Sequence, residues 1–428
     1  MLIEASEKCY NYFRGDNNFK GLSGLVHIIR EYFPAFTHRN YKLFWTGQVI
    51  SLIGTWMQNA ALNWIVYSMT RDGFLSGLMT AVQFTPLFAF SLFAGLIIER
   101  FPKRKILIFT QSMLLVFALI FYILLYFNRL TYPLILIILF FIGTIQALDN
   151  PTRQSFVVEL VEGKKHLLNA IALNSAAFNA ARLVGPAVAG KMMADFGAKW
   201  CFLFNAISFL AVLMGLLMMK MKDIPSRHQI KDPLSDIKEG LKYIKKTPKL
   251  LYTIISLVII PTFCMNFNVL IPIYTKDYLM MQEKAYGMLL SSLGLGALIG
   301  AIFVAVRASK EKALYFQLMG SFGLSAFLII LGLLKNYNLS ILNLVVLGLF
   351  MISFNTTSNS ILQFNSPDEM RGRIMSVYSL VFGGLTPIGS LYAGTLAKYA
   401  GANNAFIISG IIGFIGFFVL FKRRRELV

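Results

Sequence analysis

Acidic side chains are scarce in this 428-residue chain, 20 Asp and Glu against 40 Lys and Arg. Charged residues of both signs make up only 14% of it, too little polar surface for an ordinary soluble domain. The three cysteines, Cys9, Cys201 and Cys264, lie far apart and in no metal-ligand spacing, so neither a disulfide framework nor a metal site is implied. The four histidines, His27, His38, His166 and His228, all fall outside the apolar runs, which excludes a histidine relay through them. No G-x-x-x-x-G-K-[ST] run occurs, so ATP drive would need a partner. The apolar segments hold no nucleophile–base or metal constellation, and neither an enzyme nor a cofactor is implied. The first 40 residues lack a short apolar core with a small-residue cleavage site, so no secretory signal is expected there.

Apolar sequence is what the chain has in abundance. It is 57% hydrophobic with a mean hydropathy of +0.64. Twelve apolar runs stand near the roughly 20 residues that cross a bilayer as helix. They cover 43–69, 74–98, 106–127, 132–158, 167–194, 200–219, 251–275, 285–306, 313–334, 339–363, 374–399 and 403–421. Because the runs are continuous rather than alternating, they read as helices and not barrel strands. Of the 40 Lys and Arg, 31 fall on the side shared by both termini, eight on the other, and Arg182 inside a run. That bias places both termini in the cytoplasm. It also assigns the net charge of +20 to the lipid surface; without a soluble basic domain, nucleic acid is not an expected partner.

The polar stretch between Lys220 and Lys249 divides six runs from six. The expected organisation is a cytoplasmic tail over 1–42, a first bundle over 43–219, a linker over 220–250, a second bundle over 251–421 and a basic tail over 422–428. In the linker, Asp232 caps a helix from Pro233, with Leu234, Ile237, Leu241 and Ile244 on one face, an amphipathic helix for the membrane surface. A second interfacial helix is expected over Leu22 to Phe36. The two halves match one another. A shift of 204 residues carries Gly185, Ala189, Gly190 and Gly197 onto Gly389, Ala393, Gly394 and Gly401, and Phe178 and Phe202 onto Phe382 and Phe406. A shift of 207 carries Asn59 onto Asn266 and Tyr67 onto Tyr274. Such halves, related by an axis along the membrane normal, suit a rocking transporter with its site near the midplane.

Charges inside the runs are the strongest pointers to chemistry, since each costs roughly 2.5–3.5 kcal/mol at the bilayer centre. Asp149 is the one carboxylate placed well inside. Arg153 follows four residues later on the same face, across the Asn150-Pro151 break. The pair reads either as an internal ion pair of a kinked helix or as a protonatable switch whose partner changes. Arg182 is either an anion contact or a second partner for Asp149. A neutral polar set, Asn59, Asn63, Asn174, Asn266, Tyr274 and Asn355, joins Gln48, Ser51, Thr55 and Gln58 in facing protein or water rather than lipid. Singly, each reads as an interhelical hydrogen bond; together they imply an aqueous cavity, with Trp56, Trp64, Phe263 and Phe267 able to stack on a bulky ligand.

The loop GLIIERFPKRK, Gly95 to Lys105, closely resembles the signature loop of the major facilitator superfamily, with Glu99 for the usual Asp and Pro102 for the usual Gly. ARLVGPAVAG, Ala181 to Gly190, resembles the superfamily's antiporter motif, with Gly185, Pro186 and Gly190 in place, Arg182 within it, and Ala181 and Ala189 replacing two glycines. Segments from Asn40, Ala147 and Arg371 are similar to the enterobactin-exporter branch, which also includes macrolide-efflux-like proteins. The resemblance implies an all-α integral membrane fold of twelve helices in two pseudo-symmetric six-helix bundles. It implies export of an amphipathic small molecule, siderophore or drug, from the cytoplasm across the inner membrane in exchange for protons. The alternatives are an uptake symporter of the same fold and a non-transporting scaffold or receptor. A monomer is expected. It further implies an inner latch in which Glu99, Arg100 and Arg104 meet Arg371 and Arg373 when the protein faces outward, with Arg153 sharing their network.

Overall fold

Backbone in lipid must satisfy its own hydrogen bonds, and the apolar runs do so as helices. The structure is a computed structural model describing residues 33–221, 233–307 and 311–422. The expectations for Leu22 to Tyr32, Asp232, the side chain of Leu234 and residues 423–428 lie outside the described residues. The first six helices are α1 (Arg39–Thr70), α2 (Gly73–Arg100), α3 (Lys103–Tyr126), α4 (Tyr132–Leu160), α5 (Lys164–Phe196) and α6 (Lys199–Leu217). The linker helix is α7 (Pro233–Lys246). The second half comprises α8 (Pro248–Cys264), α9 (Phe267–Ile273), α10 (Glu283–Arg307), α11 (Ala313–Leu333), α12 (Tyr337–Phe364), α13 (Asp368–Gly384) and α14 (Thr386–Lys422).

Ten helical stretches among the described residues are long and apolar enough to cross a membrane. The last of these folds back on itself. Tyr392 Oη and Ser409 Oγ stand 3.4 Å apart, whereas seventeen residues of straight helix would separate them by about 25 Å. The reversal occurs at Gly401, with φ 81° and ψ 157°, a backbone open only to glycine. Gly197, its counterpart in the first half, turns the chain with nearly the same angles, φ 93° and ψ 158°. With α1, whose polar stripe lowers its hydropathy, the described helices are consistent with twelve crossings. Large apolar side chains such as Phe109, Ile137, Leu210, Ile302, Phe322 and Phe418 face outward, as a lipid-facing surface requires.

Two spans are interrupted. Between α8 and α9, the Asn266 side chain donates to the Thr262 carbonyl at 2.7 Å, taking the bond its backbone N–H would make in an unbroken helix. A π turn over Tyr274–Tyr278 then ends the span. Between α13 and α14 the ladder stops at Leu385, two residues before Pro387, which has no N–H to give.

The halves meet through glycine. A methyl group on Gly190 of α5 would lie 2.9 Å from Gly287 Cα on α10, and one on Gly394 of α14 would lie 3.0 Å from Gly77 Cα on α2. One on Gly185 would press on Trp56 of α1; one on Gly389 would overlap the Thr262 carbonyl of α8. Of the residues related by 204 positions, Gly190 and Gly394 thus make equivalent contacts with the other half, and Gly185 and Gly389 make contacts within their own. The linker helix packs on α13, where a methyl on Gly240 would lie 2.8 Å from the Arg373 carbonyl oxygen. Ile244 is buried, Ile237 half-buried and Leu241 exposed.

Candidate functional site: a central cavity with one side sealed

Between the bundles lies a cavity of about 1460 Å³. Its walls are the first two thirds of α1 (Phe44, Gln48, Ser51, Thr55, Gln58, Asn59), the middle of α2, the second half of α4, the first half of α5, most of α13, single residues of α3 and α6 such as Leu114 and Asn205, and Ile237 of the linker helix. The cavity therefore opens toward the linker side. Its lining mixes a larger apolar surface, with Phe88, Phe178, Tyr378 and Phe382 as aromatic faces, with neutral polar side chains such as Gln48, Ser51, Asn59, Gln146 and Asn174.

The opposite side is sealed. Arg71 pairs with Asp277 at 2.9 Å, Tyr67 donates to the same carboxylate, and Lys398 pairs with Asp72 at 2.7 Å. Trp64 Nε1 donates to Glu283 at 2.8 Å, while the Lys276 ammonium lies 4.8 Å above the Trp64 ring and donates to Ser68. Each of these contacts joins one half to the other. Asp72 also caps α2, accepting from the Phe74 and Leu75 amides. Partial burial opposes its charge, but the bonds from Lys398 and those amides prevail and hold its carboxyl below the usual range.

Asp149 lies on the cavity wall of α4, 2% exposed. Its Oδ1 accepts from Thr110 Oγ1 at 2.6 Å and Gln111 Nε2 at 2.8 Å, both on α3. Its Oδ2 accepts from Arg153 Nη2 at 2.6 Å and Nε at 3.1 Å, and Arg153 Nη1 also donates to Gln48 of α1. One carboxylate thus ties three helices of the first half. The ion pair was readable from the four-residue spacing; Thr110 and Gln111 were not, because register between helices leaves no mark in one sequence. Arg182 takes no part in this network. It lies on α5 against Trp56 and Met351.

Of the neutral polar set, Asn59 and Asn174 line the cavity. Asn63 bonds the Asn59 carbonyl, and Asn266 bonds the Thr262 carbonyl. Asn355 reaches the Met265 sulfur at 3.6 Å, and its Oδ1 is buried without a partner. Tyr274 is fully buried, its hydroxyl bonded to Ser340 and the Leu334 carbonyl, so it braces the second bundle. The residues named for an inner latch do not meet in this conformation. Arg371 pairs with Asp368 and Arg373 with Glu239, while Arg104 donates to the Leu216 and Leu217 carbonyls and Arg100 is exposed. Glu99 Oε2 is buried without a partner, and nothing lies within 4 Å of where a methyl on Gly95 would project. The sealed-side residues Asp72, Asp277 and Glu283 escaped sequence reasoning; their only signal is an acid at a helix end on the side poor in charge.

Two bundles around a cavity sealed on one side are the architecture of a major-facilitator transporter. Solved structures agree in fold: a POT family transporter bound to a thioalcohol-conjugated peptide superposes with a TM-score of 0.74 at 13% identity, covering 91% of this chain and 97% of that one. A bacterial homologue of the iron transporter ferroportin in an inward-facing state gives 0.69 at 15% identity, covering 90% and 98%. Residues 31–426 match the transmembrane secretion effector family, and the chain belongs to it. It is similar to the staphyloferrin A transporter of Staphylococcus aureus strain NCTC 8325 / PS 47, 27% identical over 377 residues, 86% of this chain and 92% of the relative. It is also similar to macrolide efflux protein A of Streptococcus pyogenes, 20% identical over 88% and 94% of the two chains. The enterobactin exporter EntS of Shigella flexneri is 22% identical over 80% and 81%. The chain is accordingly a multi-pass membrane transporter and not an enzyme.

Proposed function

We propose that this protein exports an amphipathic small molecule, a siderophore or a drug-like compound, from the cytoplasm across the inner membrane in exchange for protons. Both termini and the linker helix lie on the cytoplasmic side, and the conformation described faces inward. The observation that carries this reading is the large cavity, lined by apolar and neutral polar side chains, beside the buried ion pair of Asp149 and Arg153. Cargo enters from the linker side and settles among Gln48, Asn59, Asn174 and the aromatic faces. The sealed side then opens, and the linker side closes as Glu99 approaches Arg371 and Arg373. Asp149 supplies coupling: when the rearrangement draws Arg153 away, the carboxylate takes up a proton, because a lone charge at that depth is costly. The protein acts as a monomer, since the cavity lies within one chain.

The test is efflux from intact cells of a host lacking its own pumps. Cells expressing the protein and preloaded with staphyloferrin A, enterobactin or a macrolide lose at least one of these faster than cells without it, and a protonophore abolishes the difference. Faster accumulation on expression identifies an uptake symporter instead, and no difference for any of the three refutes the cargo classes proposed.

A further inference from the structure

Arg182 carries a charge that the described fold does not answer. It stands on α5 one turn beyond Phe178 and Asn179, which line the central cavity. Phe178, Arg182 and Gly185 share one helix face, and Trp56 of α1 lies against all three. Its ring meets Phe178 edge-on with centroids 5.7 Å apart, and the Arg182 Cζ stands 5.9 Å from the Trp56 centroid. A methyl on Gly185 would come within 2.5 Å of Trp56 Cβ, so helix packing pins the indole. From the other half, Met351 of α12 presents its sulfur 3.6 Å from Arg182 Nη2. A ring face and a thioether do not neutralise a cation. Among the described residues no carboxylate pairs with Arg182, and Asp149 is already taken by Arg153.

An unsatisfied acceptor stands nearby. Asn355 lies one helical turn from Met351 on α12, and its Oδ1 is buried without a donor. The Arg182 guanidinium thus reaches Met351 across the interface, and an acceptor without a donor sits one helical turn from that contact on the same face of α12, its amide nitrogen held by Met265. We infer that Arg182 and Asn355 form an anion subsite just beyond the deep end of the cavity, on the sealed side of Phe178 and Asn179, taking a carboxylate on Arg182 and an adjacent hydroxyl on Asn355. The cargo class is then a hydroxycarboxylate, or a larger molecule that carries one. The guanidinium offers the carboxylate a planar fork of donors, with Trp56 holding it in place. This inference rests on the exporter reading and narrows its cargo.

The experiment measures binding to the full-length protein in lipid nanodiscs by tryptophan fluorescence, with citrate as probe and tricarballylate, the same tricarboxylate without the hydroxyl, as comparator. Citrate should give a saturable change that Trp56→Phe removes. Arg182→Gln should weaken citrate about tenfold or more, the loss of a charge-assisted contact, and Arg182→Lys should fall between. Asn355→Leu should bring citrate down to the affinity of tricarballylate. If Arg182→Gln does not fold, the Lys variant and the Asn355 variant decide alone. No saturable citrate response in the parent, or an unchanged one in the Arg182 variants, overturns the subsite. No gradient is applied, so failure of proton-driven export leaves this result standing, and failure of citrate binding leaves export of uncharged cargo standing.

Discussion

Substitution of Gly287 by alanine should swing the resting protein from facing the linker side toward facing the opposite side. The added methyl would overlap the Pro186 carbonyl oxygen and lie 2.7 Å from Gly190 Cα, both backbone atoms of α5 that no rotamer change can move. Ordinary carbon contacts are about 3.5–4.0 Å, so α5 and α10 must part by about 1 Å. Such overpacking costs roughly 1–3 kcal/mol, and each 1.4 kcal/mol is tenfold in an equilibrium, giving a shift of about five- to more than a hundredfold. The polar contacts on that side offer little resistance. Arg71 and Asp277 are 58% and 45% exposed, and ion pairs so exposed contribute under about 1 kcal/mol. The penalty falls on the sealed state, so the protein should still fold and insert. The assay is the distance between spin labels at Arg129 and Asn338, exposed positions on the sealed-side ends of the two halves, in a background without the native cysteines. A long-distance population should appear in Gly287→Ala, whereas Gly95→Ala should leave the distribution as in the parent. An unchanged distribution in well-folded Gly287→Ala would refute the claim that glycine packing holds that side shut.

Asp72 sets a pH expectation. Its carboxyl is held below the usual range, so its bond to Lys398 is complete above the ordinary carboxylate value of about 4 and is lost as pH falls through the depressed one. The same label distances should hold constant between about pH 5 and 8 and lengthen only below about 4; loosening near neutrality would contradict the assignment. Asp72→Asn should open the sealed side less than about fivefold, because the pair is partly exposed. Gly296→Ala tests bundle packing rather than gating. Its methyl would overlap the Val345 carbonyl oxygen and lie 2.6 Å from the Val345 carbonyl carbon, so a loss of about 3 kcal/mol or failure to accumulate in the membrane is expected, read by thermal unfolding in detergent.

The sequence revealed the fold wherever one residue alone dictates geometry. Gly197 and Gly401 were paired by spacing, and both adopt a conformation open only to glycine. Apolar runs marked the helices because lipid leaves backbone no other choice. The Asn266 break and the interruption before Pro387 stayed hidden inside apolar runs, since a side-chain amide that takes over a helix bond does not alter hydropathy. In the site, Asp149 and Arg153 were visible as neighbours on one helix. The remainder depends on contacts across distant sequence: Thr110 and Gln111 lie 39 and 38 residues from Asp149, Arg71 lies 206 from Asp277, and Asp72 lies 326 from Lys398. Residues so separated carry no shared periodicity. The inner latch belongs to the opposite conformation, and its residues hold other partners or none here.

Coupling between Asp149 and cargo movement is the claim on which the account rests, and reconstituted liposomes test it most directly. Staphyloferrin A, or whichever cargo the cell assay selects, is supplied outside liposomes whose lumen is made acidic, and its accumulation is followed with time. For molecules inserted with the linker side outward, the parent should concentrate cargo above the external level while the lumen loses protons. Asp149→Asn, which keeps the side chain's size but cannot take up the proton, should bind cargo and carry it only until concentrations are equal. Uphill accumulation by Asp149→Asn at the parental rate would contradict the account, reducing Asp149 to a brace among α1, α3 and α4.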